Sequence, residues 1–251
     1  MGTSTSSKGA NNRSPLVPPW ADVDGKGPGP KPKANRFQGF RTALGRFVAT
    51  GDGEALRKGL RAYAHTSTGG SANGPRRFGA MAQAGSGLFN VLNTLRTNPG
   101  AAPFNLGALA GRSTRELIDA LVEALVPVNG DAERIRVALT EALATCLDGV
   151  EDFDFATITE ETIVELMVAY TAFCVFEQIV LDSNEAFTKA DSTDRAREAE
   201  NELWELVQAT TDKHMQPLLQ NQIGQMSQAD MQAAQLAAIK EVWSEWEGFE
   251  P

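Results

Sequence analysis

The stretch that decides the fold is Glu160-Glu161-Thr162-Ile163-Val164-Glu165-Leu166-Met167-Val168-Ala169-Tyr170-Thr171-Ala172-Phe173-Cys174-Val175-Phe176-Glu177-Gln178-Ile179-Val180-Leu181. Traced as a helix, it is apolar nearly all round instead of along one stripe, which predicts the central helix of a core. Its most apolar part, Leu166 to Phe176, is bounded by Glu165 and Glu177 and is about half the length a membrane-spanning helix needs, so no transmembrane segment is expected.

Helical signals continue on both sides of this stretch. Upstream, Thr157-Ile158-Thr159-Glu160 reads as a capping box. It follows an acidic link, Glu151-Asp152-Phe153-Asp154, that lacks the ligand spacing of a calcium loop. Before that link, Ile135, Ala138, Leu139, Ala142, Leu143 and Cys146 share a face of a helix from about Asp131 that Gly149 closes. Ser113-Thr114-Arg115-Glu116 caps another helix carrying Leu117, Leu121, Val122 and Leu125, ended by Pro127 and Gly130. Nearer the N-terminus, Phe37, Phe40, Leu44 and Phe47 recur at helical spacing, Gly51-Asp52-Gly53 breaks the run, and Leu56, Leu60 and Tyr63 open a second helix. A third runs through Phe78, Met81, Gly85, Leu88, Leu92 and Leu95, where Gly79, Gly85 and Gly87 predict close helix packing. Downstream, a charged helix over 185–213 turns Ala196, Ala199, Leu203, Leu206 and Val207 inward, and Pro217 is expected to bend or break the chain. Ser227 and Asp230 then open a last helix through Leu236, Ile239, Val242, Trp243 and Trp246. No strand pattern of useful length appears, so the fold class is all-α, an irregular bundle of about eight helices without an internal repeat.

The chain has 251 residues, 42% hydrophobic and 22% charged, with a formal net charge of −9. That charge is the sum of opposed halves, because residues 1–100 carry 14 basic and 4 acidic side chains and residues 101–251 carry 9 and 28. A uniformly basic nucleic-acid binder is excluded by this distribution, while a basic arm is not. Residues 1–35 hold six of the twelve prolines with Gly, Ser, Asn and Lys, and are expected as a disordered tail. An apolar island, Leu16-Val17-Pro18-Pro19-Trp20, interrupts the tail. Its preset backbone and aromatic ring suit either docking on a partner's groove or folding back on the chain's own body. Residues 36–98 form a basic helical region and 104–251 an acidic one, with 36–251 expected as one compact unit.

The catalytic inventory is poor. Two histidines, His65 and His214, with no cysteine pair, offer no metal-ligand spacing. Cys146 and Cys174 lie on apolar faces where a thiolate is disfavoured, and read as buried thiols. No metal, cofactor or enzymatic activity is expected. The glycine-rich connector from Gly69 through Asn73 to Arg76 and Arg77 has the amides and cations of an anion cradle. It lacks the lysine and preceding strand of a P-loop, and otherwise serves as a connector. Arg36, Arg41, Arg46, Arg57, Lys58, Arg61, Arg76 and Arg77 offer a contact for nucleic-acid backbone or for an acidic protein surface, and the overall negative charge favours protein. The start Met1-Gly2-Thr3-Ser4-Thr5-Ser6-Ser7 lacks the apolar region of a secretory signal, which makes a cytoplasmic location the expectation. It also fits the loose N-myristoylation pattern through Gly2 and Ser6, a reading that depends on a eukaryotic source, and no membrane association is expected.

Met1 to Ser7, Pro15 to Asp22, Arg36-Phe37-Gln38-Gly39-Phe40-Arg41-Thr42-Ala43-Leu44-Gly45-Arg46-Phe47 and Ala64-His65-Thr66-Ser67-Thr68-Gly69-Gly70-Ser71-Ala72 together resemble the QatB family, a component of the Qat anti-phage defence system of bacteria. The resemblance is densest over residues 2–95. It implies a non-catalytic protein with three kinds of companion: an ATPase (QatA-type), a homologue of the 7-cyano-7-deazaguanine synthase QueC (QatC-type), and a TatD-like nuclease (QatD-type). It further implies that the QueC-like partner modifies the α-amine of Gly2 after removal of Met1, with Leu16, Val17, Pro18, Pro19 and Trp20 as the docking motif. The alternative is a nucleic-acid-binding adaptor that senses phage DNA or RNA, or presents it to the nuclease.

Overall fold

The computed structural model describes Asn11 and residues 13–109, 111–151, 154, 158–220 and 222–250. Among these the chain forms eight α-helices and no strand: α1 (Gln38–Thr50), α2 (Gly53–Ala62), α3 (Gly79–Thr97), α4 (Thr114–Leu125), α5 (Ala132–Cys146), α6 (Glu160–Ser183), α7 (Thr193–Leu219) and α8 (Gln228–Glu247). The all-α expectation holds, and the capping chemistry shows why the helices begin where they do. Asp52 accepts from the amides of Glu54 and Ala55 to open α2. Ser113 and Glu116 exchange bonds in a full capping box at α4. At α8 the Ser227 amide donates to Asp230 at 2.9 Å while the Asp230 amide donates back to the Ser227 hydroxyl at 3.2 Å. The box expected at α6 includes Thr157, outside the described residues; there Thr159 accepts from the Thr162 amide at 3.1 Å.

Two boundaries depart from expectation. The charged helix starts at Thr193, because Ala186–Lys189 form a separate 3-10 turn. Pro217 does not break it. The proline lies inside the last turn and the helix ends two residues later at Leu219, so the lost amide and the ring's crowding fall where the hydrogen-bond ladder is already ending. Within the tail segment, Asn11 and residues 13–35 are described; Leu16, Val17 and Ala21 are almost fully buried there, while most of their neighbours are exposed. The apolar island therefore folds back on the chain's own body, one of the two roles expected of it.

The chain divides into two units, neither of which matches the expected regions split near residue 100. The first comprises Met1–Arg77, Val175–Thr210 and Ile239–Pro251, and the second Phe78–Cys174 and Thr211–Ala238. Charge composition changes near residue 100, but long helices contribute residues to both units, so the composition boundary is not a packing boundary. In the first unit an aromatic series forms the core. The Phe40 and Tyr63 rings lie 4.7 Å apart, Tyr63 and Trp243 5.9 Å, and Trp243 and Trp246 5.3 Å.

In the second unit α3 approaches residues of α6 and α8. The Tyr170 hydroxyl donates to the Met81 carbonyl at 2.8 Å, and the Gln235 amide donates to the Ala82 carbonyl at 3.0 Å. Gly85 makes the approach possible, since a Cβ there would sit 2.5 Å from Cε1 of Tyr170 and would also collide with the Gln235 side chain. The half-buried Cys146 faces the apolar side chains of Leu92, Leu143 and Leu166, and burial pushes its thiol up to about 11, with Glu165 adding to the shift. Cys174 is buried. Chemical denaturation tests the packing directly. Gly85→Ala should cost about 2–3 kcal/mol through overpacking. Gly53→Ala, where an added Cβ meets nothing within 4 Å, should be neutral or slightly stabilising.

Candidate functional site

The N-terminal segment is a strap built by its own glycines and one aspartate. Gly25, Gly27 and Gly29 take positive φ, and the Asp22 carboxylate accepts from the Lys26 amide at 3.1 Å and the Gly27 amide at 2.6 Å, closing a turn. The Val17 amide donates to the Pro28 carbonyl at 3.1 Å, which brings the two limbs of the strap together. Arg76 then latches it, donating from Nη2 to Asp22 and to the Gly27 carbonyl, both at 2.7 Å. Burial opposes the charge on Asp22, but the bonds from Arg76 and the two amides outweigh it and hold this carboxyl below its ordinary value.

Beneath the strap lies the 69–77 loop, where Gly69 and Gly70 adopt φ of 83° and 81°. A Cβ on Gly69 would sit 2.6 Å from Cδ1 of Leu16, so this glycine gives the buried leucine its seat. Gly74 likewise makes room for the Trp243 indole, whose Nε1 donates to the Thr68 hydroxyl at 2.8 Å. Thr68 passes the bond on to the Ala64 carbonyl at 2.9 Å, at the end of the π-helical turn Tyr63–Ser67. As a phosphate cradle the loop is already engaged: the Ser71 amide donates to the Glu247 carboxylate at 3.3 Å, and His65 Nδ1 lies 3.4 Å from the same group. The unusual backbone angles serve packing.

Deeper in the first unit is a charged cluster that the sequence did not single out. Asp182 is fully buried, and its Oδ2 accepts from Arg77 at 2.9 Å, Tyr63 at 2.9 Å and Gln178 at 3.1 Å. Arg41 Nε donates to the Asp182 backbone carbonyl at 2.8 Å. Arg36 is 1% exposed and stacks over Phe37 with its Cζ 4.8 Å from the ring centroid. Its Nη2 reaches only the carbonyls of Asn11 at 3.5 Å and Pro15 at 3.4 Å, and its Nε and Nη1 have no hydrogen-bond partner. Burial first, and then the neighbouring Arg77 charge, push the Arg36 guanidinium down to about 10 against the pull of Asp182 and Tyr63.

The residues expected to form one basic contact face are therefore dispersed. Arg36 and Arg77 are buried, and Arg41 and Arg76 are half-buried and bonded inside the unit. Arg46 pairs with Asp52 at 2.7 Å. Arg57, Lys58 and Arg61 on α2 remain for an external anion, with Arg57 also 5.8 Å from the Phe249 ring. Helical spacing put the arginines between apolar positions but could not show that the strap and α6 cover two of them. Of the docking residues, Leu16 and Val17 are buried, Pro18 is half-buried, and Pro19 and Trp20 are exposed, the latter at 45%. Gly2 lies outside the described residues. One signal for the missed cluster was present: Gln178 and Asp182, four apart, share a face of a helix most of whose inward residues are apolar. Replacing Asp182 by Asn should cost about 3–5 kcal/mol in denaturant unfolding, because it removes the countercharge of a buried guanidinium. A loss below about 1 kcal/mol would show that the cluster is solvated in solution.

The family model for QatB, described as Qat anti-phage system associated protein QatB, matches residues 69–246. No curated protein and no solved structure matches the chain. The matched stretch takes in the 69–77 loop, Asp182 and Trp243, while the strap, α1 and α2 precede it. With well over half of its length matched, the chain belongs to the QatB family of Qat anti-phage system associated proteins.

Proposed function

We propose that this component of the Qat anti-phage system is a non-catalytic protein whose N-terminal amine is offered to the system's deazaguanine-synthase-like partner. Removal of Met1 would leave the α-amine of Gly2, an unhindered nucleophile with a pKa of about 8. The partner would activate a carboxylate with ATP and the amine would attack it. An amide C–N bond then forms, the activating group leaves and the amine proton passes to solvent. Family membership supports the setting. The single structural observation that carries the reading is the strap's anchorage: Leu16 and Val17 are fixed in the first unit while the chain before them leads outward to the exposed Arg13. The residues from Gly2 to Leu16 can span at most about 50 Å. An anchored leader of that length can enter another protein's active site while this chain stays docked.

This geometry changes the docking motif. Leu16 and Val17 hold the strap to its own body, and the partner-facing residues are Pro19, Trp20 and the 40%-exposed Val23. The ATPase and the TatD-like nuclease would join through other surfaces. The nucleic-acid reading loses its arginine face, since Arg36 and Arg77 are buried and Arg41 and Arg76 are bonded inside the unit. Intact mass spectrometry of the chain purified with all Qat components should show an added deazaguanine mass on the N-terminal peptide, absent in Gly2→Pro. Trp20→Ala should slow its appearance several-fold without lowering Tm. An unmodified N-terminus with every partner present refutes the proposal.

A further inference from the structure

The strap covers a charge imbalance. Beneath it lies the buried guanidinium of Arg36, which feels the charge of the buried Arg77 beside it, and the Asp182 carboxylate that serves as countercharge is bonded to Arg77. Arg36 receives only two long contacts from strap carbonyls, and its Nε and Nη1 are left without acceptors. The strap cannot supply the missing charge, because the first acidic residue of the chain is Asp22, and its carboxylate is taken by Arg76 and two amides. A buried guanidinium with unfilled donors is costly, and an oxyanion whose geometry matches its fork relieves that cost. The cover is also removable. It is held by the side chains of Leu16, Val17 and Ala21, a few backbone bonds and the Arg76 latch, and Asn11 and Pro15, whose carbonyls reach Arg36, contribute none of those buried apolar groups.

We propose that Arg36 and Arg77 form a binding site for a phosphate-type oxyanion beneath the residue 13–35 strap, and that anion binding and strap closure exclude one another. Asp182, itself held by Tyr63 and Gln178, keeps Arg77 in place, Phe37 supports the Arg36 guanidinium from its ring face, and the two forks grip the anion once the strap lifts. Opening would also lengthen the leader, since its point of attachment moves back from Leu16 towards Arg36. The site would then control how far Gly2 reaches, although anion binding itself needs no partner protein and no modification.

The test uses the full chain alone. Inorganic phosphate and, separately, ATP are titrated by calorimetry, while amide hydrogen exchange follows residues 13–30. Saturable binding with a Kd below about 1 mM, accompanied by faster exchange across the strap, is expected. Tighter binding of ATP would assign the oxyanion to a nucleotide, and equal binding would assign it to free phosphate. Arg36→Gln should weaken binding at least about tenfold while leaving Tm unchanged or raised, as removal of an unpaired buried charge requires. Asp22→Ala, which releases the latch without touching the arginines, should tighten binding several-fold. No saturable binding, wild-type affinity in Arg36→Gln, or binding that leaves strap exchange unchanged overturns the proposal.

Discussion

The interaction on which the first unit depends is the Asp182 carboxylate, which sits out of water and accepts at a single oxygen from Arg77, Tyr63 and Gln178. A lone carboxylate in such surroundings would be strongly disfavoured, so it persists only because its three donors come from rigid elements that meet there. Tyr63 begins the π-helical turn after α2, Arg77 ends the glycine loop, and Gln178 and Asp182 lie one turn apart on α6. Arg41 adds α1 through the Asp182 carbonyl. Four segments distant in sequence are thus held in one arrangement by one residue, three through its carboxylate and one through its backbone carbonyl. Hydrophobic burial supplies the driving force here, and the carboxylate selects which packing is reached.

Glycines do the complementary work of removing volume. Gly74 admits Trp243 and Gly69 admits Leu16, both in the short loop that also carries Arg76 and Arg77. This loop therefore seats the C-terminal indole, receives the N-terminal strap and delivers an arginine to the buried carboxylate. An extra methyl group at Gly74 would press on both partners of the Trp243–Thr68 bond, and at Gly69 it would strain a backbone held at φ of 83° and deny Leu16 its place. The stretch matched by the QatB family begins at this loop, so the matched residues include the strap's seat and latch arginine but not the strap itself.

Much of the architecture was legible because its signals are local. Capping boxes at Ser113 and Ser227, the all-round apolar α6 and the inward faces of α5 and α8 depend on residues within a few positions of one another. Gly85 was legible as a packing glycine because a glycine in a helix interior demands a reason. The strap and the charged cluster were not legible, because their determinants are far apart in sequence. Proline and glycine content made residues 13–35 look too polar to pack, and composition does not reveal that the 69–77 loop offers Leu16 a seat. The arginines of α1 looked like a solvated face because helical spacing reports which side of a helix is polar, not what covers that side. Pro217 was misjudged for a related reason: a proline's effect depends on how much helix remains after it, and here almost none does.

Function follows from what the strap divides. An apolar pentapeptide in a polar segment can serve its own core or a partner's groove, and the same atoms cannot do both at once. In residues 16–20 the task is shared: Leu16 and Val17 are spent on the first unit, and Pro19 and Trp20 stay outside it. A tail anchored only by a partner would pay the full entropy of its length on binding, whereas one already fixed at Leu16 leaves only the residues before it to be ordered. If the Gly2 amine is the reacting group, anchorage would raise its effective concentration at a partner docked against Trp20 and would limit how distant that partner's active site can be. Under the proposed anion site, strap closure over Arg36 would set the leader's reach, and the buried charge without sufficient acceptors would be the physical reason for two lengths.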